Sequence, residues 1–256
     1  MKLRLFAAFA SLLLFARCAS DDPTLNYKDA EGYTPLIRSA EAGDTGLVRS
    51  LLLRHADMEA TNKFGETALS AAASKGHTLA VDMLIRQGAD VNVVNKDKVT
   101  PLMYSASRGF ADIARLLLDH RADENAVSKE GLTALVYAVL NRQSEIAALL
   151  IRHGADVNFK MQDDDTMLMM LASRGDVGIA RLLIINGALV NARNKTSNTA
   201  LMNACRSGQP EMVRLLLDHQ AAVGVKDENG DDALKHAERA GNADIIGMVK
   251  KAGPSL

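Results

Sequence analysis

Threonine recurs every 33 residues along this chain without a slip in register, at Thr34, Thr67, Thr100, Thr133, Thr166 and Thr199. A leucine follows two residues after each, at Leu36, Leu69, Leu102, Leu135, Leu168 and Leu201, and Asp232 with Leu234 closes the series. A fixed period of this length marks a stacked solenoid, because so short a unit can bury an apolar face only against its neighbours. The period thus points to a binding surface rather than to one globular enzyme core. Composition agrees: 48% of the residues are hydrophobic, only 4% are aromatic and Trp is absent, which suits many small layers of Ala, Leu, Ile, Val and Met. The net charge of −1 exerts no global pull on nucleic acid or acidic lipid.

The units run over 31–63, 64–96, 97–129, 130–162, 163–195 and 196–228, preceded by a lead and half finger over 21–30 and closed by a capping unit over 229–256. Each opens with a turn and Thr-(Pro/Ala)-Leu, continues as a short Ala-rich helix, and usually reverses at Gly. A second helix of the form Val-x-x-Leu-Leu-Leu follows. Each Thr is placed to cap the first helix through its hydroxyl, and Pro35 and Pro101 fall in the first turn, where a missing N–H costs nothing. Gly43, Gly76, Gly109, Gly175, Gly208 and Gly241 stand where the chain must turn back in a left-handed conformation.

Gly88-Ala89-Asp90-Val91-Asn92, Gly154-Ala155-Asp156-Val157-Asn158 and Glu31-Gly32-Tyr33-Thr34-Pro35-Leu36 resemble the consensus of the ankyrin repeat family over residues 25–252. The resemblance implies an all-α ankyrin-repeat solenoid of helix-turn-helix units with β-hairpin-like fingers. The family's usual His, three residues after the Thr, is replaced by Ile37, Ser70, Met103, Val136, Met169, Met202 and Lys235. Arg142 stands for the reversing Gly, while His55, Arg121 and Gln220 stand for the Gly that ends the second helix. In the finger turn, Lys98, Asp164 and Ser197 stand for Gly.

Residues 1–20 differ in kind. Lys2 and Arg4 precede an apolar run from Leu5 to Ala16, too short to span a bilayer and suited to an export signal. Cleavage after Cys18 or Ser20 would release a protein to the periplasm or the extracellular space. Phe15-Ala16-Arg17-Cys18 also resembles a bacterial lipobox, with Arg17 departing from the small residue that motif wants; lipidation of Cys18 would tether the chain to the envelope, with a structural or stress-protective role. Without this segment, Cys205 is the only cysteine left and no intramolecular disulfide can form; it occupies the small apolar slot of Ala40, Ala73, Ala106, Val139 and Ala172.

The resemblance implies a protein partner held by the finger turns and the concave face of the first helices. Tyr33, Phe64, Val99 and Leu132 put apolar side chains at finger positions expected to be exposed, and Tyr104 and Tyr137 share one slot of adjacent first helices. Such rings, rimmed by Lys75 and Arg108, have the composition of interface anchors, although packing between fingers explains them equally well. Lys63, Lys75, Lys96, Arg108, Lys129, Arg174, Lys195 and Arg206 trace a basic line, but Glu66, Asp97, Glu130 and Asp163 interleave with it, as on a solvated mixed face. His120, His153 and His219 repeat at one position, about 10 Å apart in packed helices, too far to share a metal with bonds of about 2 Å. No phosphate-cradling loop, nucleophile elbow or helical His pair is present, so no catalytic role, cofactor or metal is expected. The expectation is a non-enzymatic, monomeric scaffold that binds protein, not nucleic acid, and meets a membrane only through a lipid on Cys18.

Overall fold

A computed structural model describes residues 24–253; the basic start, the apolar run and Cys18 lie outside the described residues. Fourteen α-helices and no strand are found among the described residues, and the helices come in consecutive pairs. The pairs are α1 Pro35–Ala42 with α2 Thr45–Leu53, α3 Ala68–Lys75 with α4 Thr78–Arg86, and α5 Pro101–Arg108 with α6 Ala111–Asp119. Next come α7 Ala134–Leu140 with α8 Ser144–Arg152, α9 Met167–Arg174 with α10 Val177–Ile185, α11 Ala200–Arg206 with α12 Pro210–Asp218, and α13 Ala233–Ala240 with α14 Ala243–Ala252.

The described residues form two compact units that divide within α7, between Tyr137 and Ala138. In the first unit α1 packs on α3 and α3 on α5, while α2 packs on α4 and α4 on α6. In the second, α9 packs on α11 and α11 on α13, while α8, α10, α12 and α14 follow one another in the outer row. Each unit is thus an all-α solenoid of helix-turn-helix layers.

Local chemistry starts every first helix at the same point. Thr34 Oγ1 accepts from the Ile37 N–H at 3.2 Å, and Thr67, Thr100, Thr133, Thr166 and Thr199 accept from Ser70, Met103, Val136, Met169 and Met202 at 3.2–3.4 Å. Asp232 takes the same role for Lys235 at 2.9 Å. These are N-caps, each worth roughly 1 kcal/mol. Where the family would use His, Met103 offers its sulfur to the Thr100 N–H at 3.5 Å and Ser70 shares a hydrogen bond with Thr67.

Reversal is constrained twice at Gly76. Its φ of +82° is left-handed, and a Cβ there would lie 2.7 Å from the ring of Phe110, which starts the outer helix of the next layer. Arg142 adopts φ 57° at the equivalent point of its own layer, facing not an aromatic ring but Asp176, whose Oδ1 lies 3.8 Å from its guanidinium. Asp176 leaves room for a side chain where His77, Phe110 and Gln209 crowd Gly43, Gly76 and Gly175. His55, Lys98, Arg121, Asp164, Ser197 and Gln220, the other replacements for glycine, keep positive φ of 56–66°.

Small apolar residues fill one slot of each layer: Ala40, Ala73 and Ala106 in the first unit and Val139, Ala172 and Cys205 in the second are all fully buried. Burial pushes the Cys205 thiol up to about 12, so it is an apolar filler and not a nucleophile. At the opposite edge from the caps, side-chain amides staple layer to layer. Asn92 Oδ1 accepts from the Asp123 N–H at 2.8 Å while its Nδ2 donates to the Arg121 carbonyl, and Asn158 and Asn191 repeat the pattern in the second unit.

Left-handed strain gives a direct test. Arg121→Gly and Gln220→Gly should each raise stability by about 0.5–1 kcal/mol, since glycine adopts the observed φ freely but also loosens the unfolded chain. Gly76→Ala should lower it by more than Gly208→Ala, whose added Cβ meets nothing within 4 Å. Equilibrium urea unfolding followed by circular dichroism ranks the four.

Candidate functional site

The fingers are built on a second 33-residue series, Asp29, Asn62, Asn95, Ser128, Met161, Asn194 and Asp227. Asn62 Oδ1 accepts from the N–H groups of Phe64 and Glu66 at 2.9 and 3.0 Å; Asp29, Asn95, Asn194 and Asp227 accept from the residues two and four ahead in the same way. The backbone closes the same turn, for instance from the Asn62 N–H to the Glu66 carbonyl at 3.0 Å. Short polar side chains that hold their own backbone in this way favour turns over ladders. The hairpin-like fingers are accordingly tight turns, with one isolated antiparallel bridge, Lys160 to Thr166, in the finger whose first residue is Met161.

Within each unit a finger also donates to its predecessor. In the first unit the N–H groups of Lys63, Lys96 and Lys129 reach the carbonyls of Glu31, Phe64 and Asp97 at 2.9–3.0 Å. The first helix braces the finger from below through one slot. Arg38 binds Asp29 at 2.7 Å, Tyr137 donates to Ser128 at 3.3 Å, and Tyr104 accepts from Asn95 Nδ2 at 3.0 Å while donating to Glu66 Oε1 at 2.9 Å. The Arg38 guanidinium holds the Asp29 carboxyl below its ordinary value.

Five of the eight residues expected to meet a partner line one groove of the first unit: Tyr33, Phe64, Lys75, Tyr104 and Arg108. The groove has a volume of about 540 Å³, and Glu41, Glu66, Lys96 and Asp97 share its walls. Val99, Leu132 and Tyr137 lie outside it. Phe64 is 49% exposed, with the Lys63 ammonium 5.6 Å from its ring centroid. Tyr33, Val99 and Leu132 are half-buried, because they stand two positions further along the finger than Phe64, where the turn folds back toward the first helix. Arg38 stacks 3.6 Å from the Tyr33 ring centroid, a cation–π contact.

Half of the basic line is paired with carboxylates. Lys63 pairs with Glu31, Lys75 with Glu41 at 3.3 Å, Lys129 with Asp97 at 3.7 Å and Lys195 with Asp163 at 3.5 Å. Lys96 and Arg108 have no carboxylate partner among the described residues.

His236 of the capping unit stands in the same bracing slot of its first helix, α13. It is buried, its Nε2 is 2.9 Å from Asp227 Oδ2, and Arg206 Nε approaches its Nδ1 at 3.5 Å. With Asp231 it forms a group of metal-ligand spacing, the donor atoms lying within 4.8 Å of one another. Arg239, however, grips Asp231, and Asp227 spends its other oxygen on the N–H groups of Asn229 and Asp231. Burial would raise the Asp227 carboxyl, but those N–H groups and the His236 ring outweigh it and hold it below its ordinary value. The cluster is a finger brace. Its signal was in the sequence, since His236 occupies the slot of Arg38, Tyr104 and Tyr137, nine residues after a finger-start side chain. The finger-start series and Glu66, the carboxylate that anchors Tyr104, were not recognised as functional supports either.

Helix pairs stacked in register, carrying turns that are fixed by side chain and backbone alike, define a repeat scaffold that displays a surface. A family model described as ankyrin repeats (3 copies) matches residues 7–95, 70–161 and 168–255, and the chain belongs to the ankyrin repeat family. Ankyrin repeats generally serve as protein–protein interaction scaffolds and are typically non-enzymatic. No curated protein matches the chain.

Burial, and then the Glu66 carboxylate, push the Tyr104 phenol well above its ordinary 10.0. The folded state therefore holds this proton more tightly than the unfolded chain. Its contribution to stability is complete below pH about 10 and declines as pH rises further. Tyr104→Phe should remove the last phenolate to appear in an absorbance titration and flatten the decline in melting temperature above pH 10.

Proposed function

We propose that this chain is an exported, non-enzymatic scaffold that holds a protein partner in the groove over α1, α3 and α5. The observation that carries the reading is the meeting of Tyr33 and Phe64, on fingers clamped by backbone hydrogen bonds, with Lys75, Tyr104 and Arg108 of α3 and α5 in one groove. Fixed aromatic side chains lose little conformational entropy on binding, so more of their buried area appears as affinity. Phe64 is the principal anchor, since its ring is exposed and its backbone is clamped at both N–H and carbonyl. Tyr33, Lys75 and Arg108 flank it, and Tyr104 mainly positions Glu66. Val99, Leu132 and Tyr137 extend the surface along the next fingers.

Export is supported by Lys2 and Arg4 ahead of the apolar run Leu5 to Ala16. No helix among the described residues is long and apolar enough to cross a membrane. The protein acts as a monomer in the periplasm or outside the cell. N-terminal sequencing of the secreted chain should begin after Cys18 or Ser20, and recovery of a chain that retains Lys2 would refute export.

Crosslinking in the native compartment followed by mass spectrometry identifies the partner. Phe64→Ala should then weaken its capture about tenfold or more, the loss of at least 1.4 kcal/mol expected of a hot spot, with an unchanged melting temperature. Capture indifferent to both Phe64→Ala and Tyr33→Ala would place the interface elsewhere.

A further inference from the structure

We infer that the partner segment seated in this groove is an acidic peptide, with carboxylates next to an apolar side chain. The inference rests on the reading of the groove as a protein-binding surface and supplies the chemistry of the occupant. It follows from which charges the fold has already satisfied. Glu66 receives the Tyr104 hydroxyl on one oxygen and Asn62 Nδ2 on the other, and Asp97 pairs with Lys129. Glu41, the remaining wall carboxylate, is held by Lys75 and Arg38. Every acidic group of the groove is therefore engaged within the protein, whereas Lys96 and Arg108 are not.

An exposed cation without a partner loses little hydration in the free protein and gains a charge-assisted hydrogen bond when a carboxylate arrives. Arg108 presents a planar fork that fits a carboxylate with two parallel hydrogen bonds, and Lys96 supplies a point charge. Apolar and cationic elements are adjacent by construction. The Lys96 N–H is bonded to the Phe64 carbonyl at 2.9 Å, so the two side chains leave neighbouring fingers at one level. A ligand that satisfies both must carry an acid beside an apolar group. Nucleic acid fits less well, because a run of phosphates would pass over Glu66 and Asp97 in the same groove, on a chain of net charge −1.

The test is selection from a display library of random peptides about 12 residues long on the full chain, followed by binding of the enriched peptides in synthetic form. The enriched peptides should carry Asp or Glu beside an aromatic or aliphatic residue. Their affinity should fall about tenfold or more on Arg108→Glu, fall again on Lys96→Glu, and decline with added salt. Arg108→Gln and Lys96→Gln give the same direction without charge reversal, and thermal melts report that each variant is folded. Enrichment of peptides without acids, or no enrichment, overturns the proposal. Binding that Phe64→Ala abolishes but the charge variants leave intact keeps the groove and discards its acidic specificity. Binding indifferent to all three positions discards both. A labelled single-stranded oligonucleotide that competes through Lys96 and Arg108 would make the occupant a polyanion and also overturn the peptide.

Discussion

Helices of seven to ten residues are too short to persist alone in water, and here none has to. Everything else in this protein depends on one layer of two helices burying its apolar face against the next. The column of Ala40, Ala73 and Ala106 shows how tightly this is done in the first unit, for these positions are fully buried and accept only a small side chain. Once the layers are stacked, the polar groups at both edges fall into reach of the neighbouring layer. Amides such as Asn92 then staple one edge, and finger backbones such as Lys96 to Phe64 staple the other. The hydrogen bonds set register and direction, while burial supplies the greater part of the stability.

Stacking also explains where strain is tolerated. A residue with positive φ is costly when it carries a Cβ, by about 1 kcal/mol, yet eight non-glycine residues among those described adopt it. Most lie at helix ends or finger tips, where the side chain points to solvent and the φ is the whole of the cost. Gly76 is different, because the next layer's Phe110 fills the space a side chain would need. The fifth finger shows the converse. With Met161 at the position of the usual oxygen-bearing side chain, the turn tightens into a 3-10 segment, Gln162–Asp164, with Asp163 and Asp164 both left-handed. Lys195 and Lys160 pair with the aspartates of this turn, both at 3.5 Å.

Much of this was legible in the 33-residue series. Thr capping, the reversing glycines, the small buried slot of Cys205 and the substitutions that keep left-handed geometry all follow from position alone, because backbone conformation repeats with the period. The tips of long side chains do not. His236, Tyr104 and Arg38 occupy one slot, and each reaches back nine residues to a finger-start side chain, but the partner depends on length and on the atoms offered. Arg38 makes an ion pair there, Tyr104 a hydroxyl bridge to a second finger residue, and His236 a buried pair with Asp227. A periodic pattern locates these residues without saying whether they face solvent or brace a turn. The sequence left Val99 and Leu132 open between an exposed and a packed placement for the same reason, since a shift of two positions along a tight turn exchanges its tip for its base.

Function on such a scaffold is left to whatever the architecture does not consume. In the groove of the first unit the fold engages Glu41, Glu66 and Asp97, clamps the backbone of Phe64, and uses the Tyr104 hydroxyl as a strut. What remains for a partner is the exposed Phe64 ring and the Lys96 ammonium on neighbouring fingers, with the Arg108 guanidinium at the end of α5. Their positions are fixed by main-chain hydrogen bonds rather than by the side chains themselves, so substituting them changes what the surface presents while leaving the stack that carries it intact. A repeat protein can for that reason alter its binding chemistry finger by finger. The same logic separates Phe64 and Arg108, whose side chains the fold can spare, from Glu66 and Tyr104, whose loss would loosen the finger before it altered recognition.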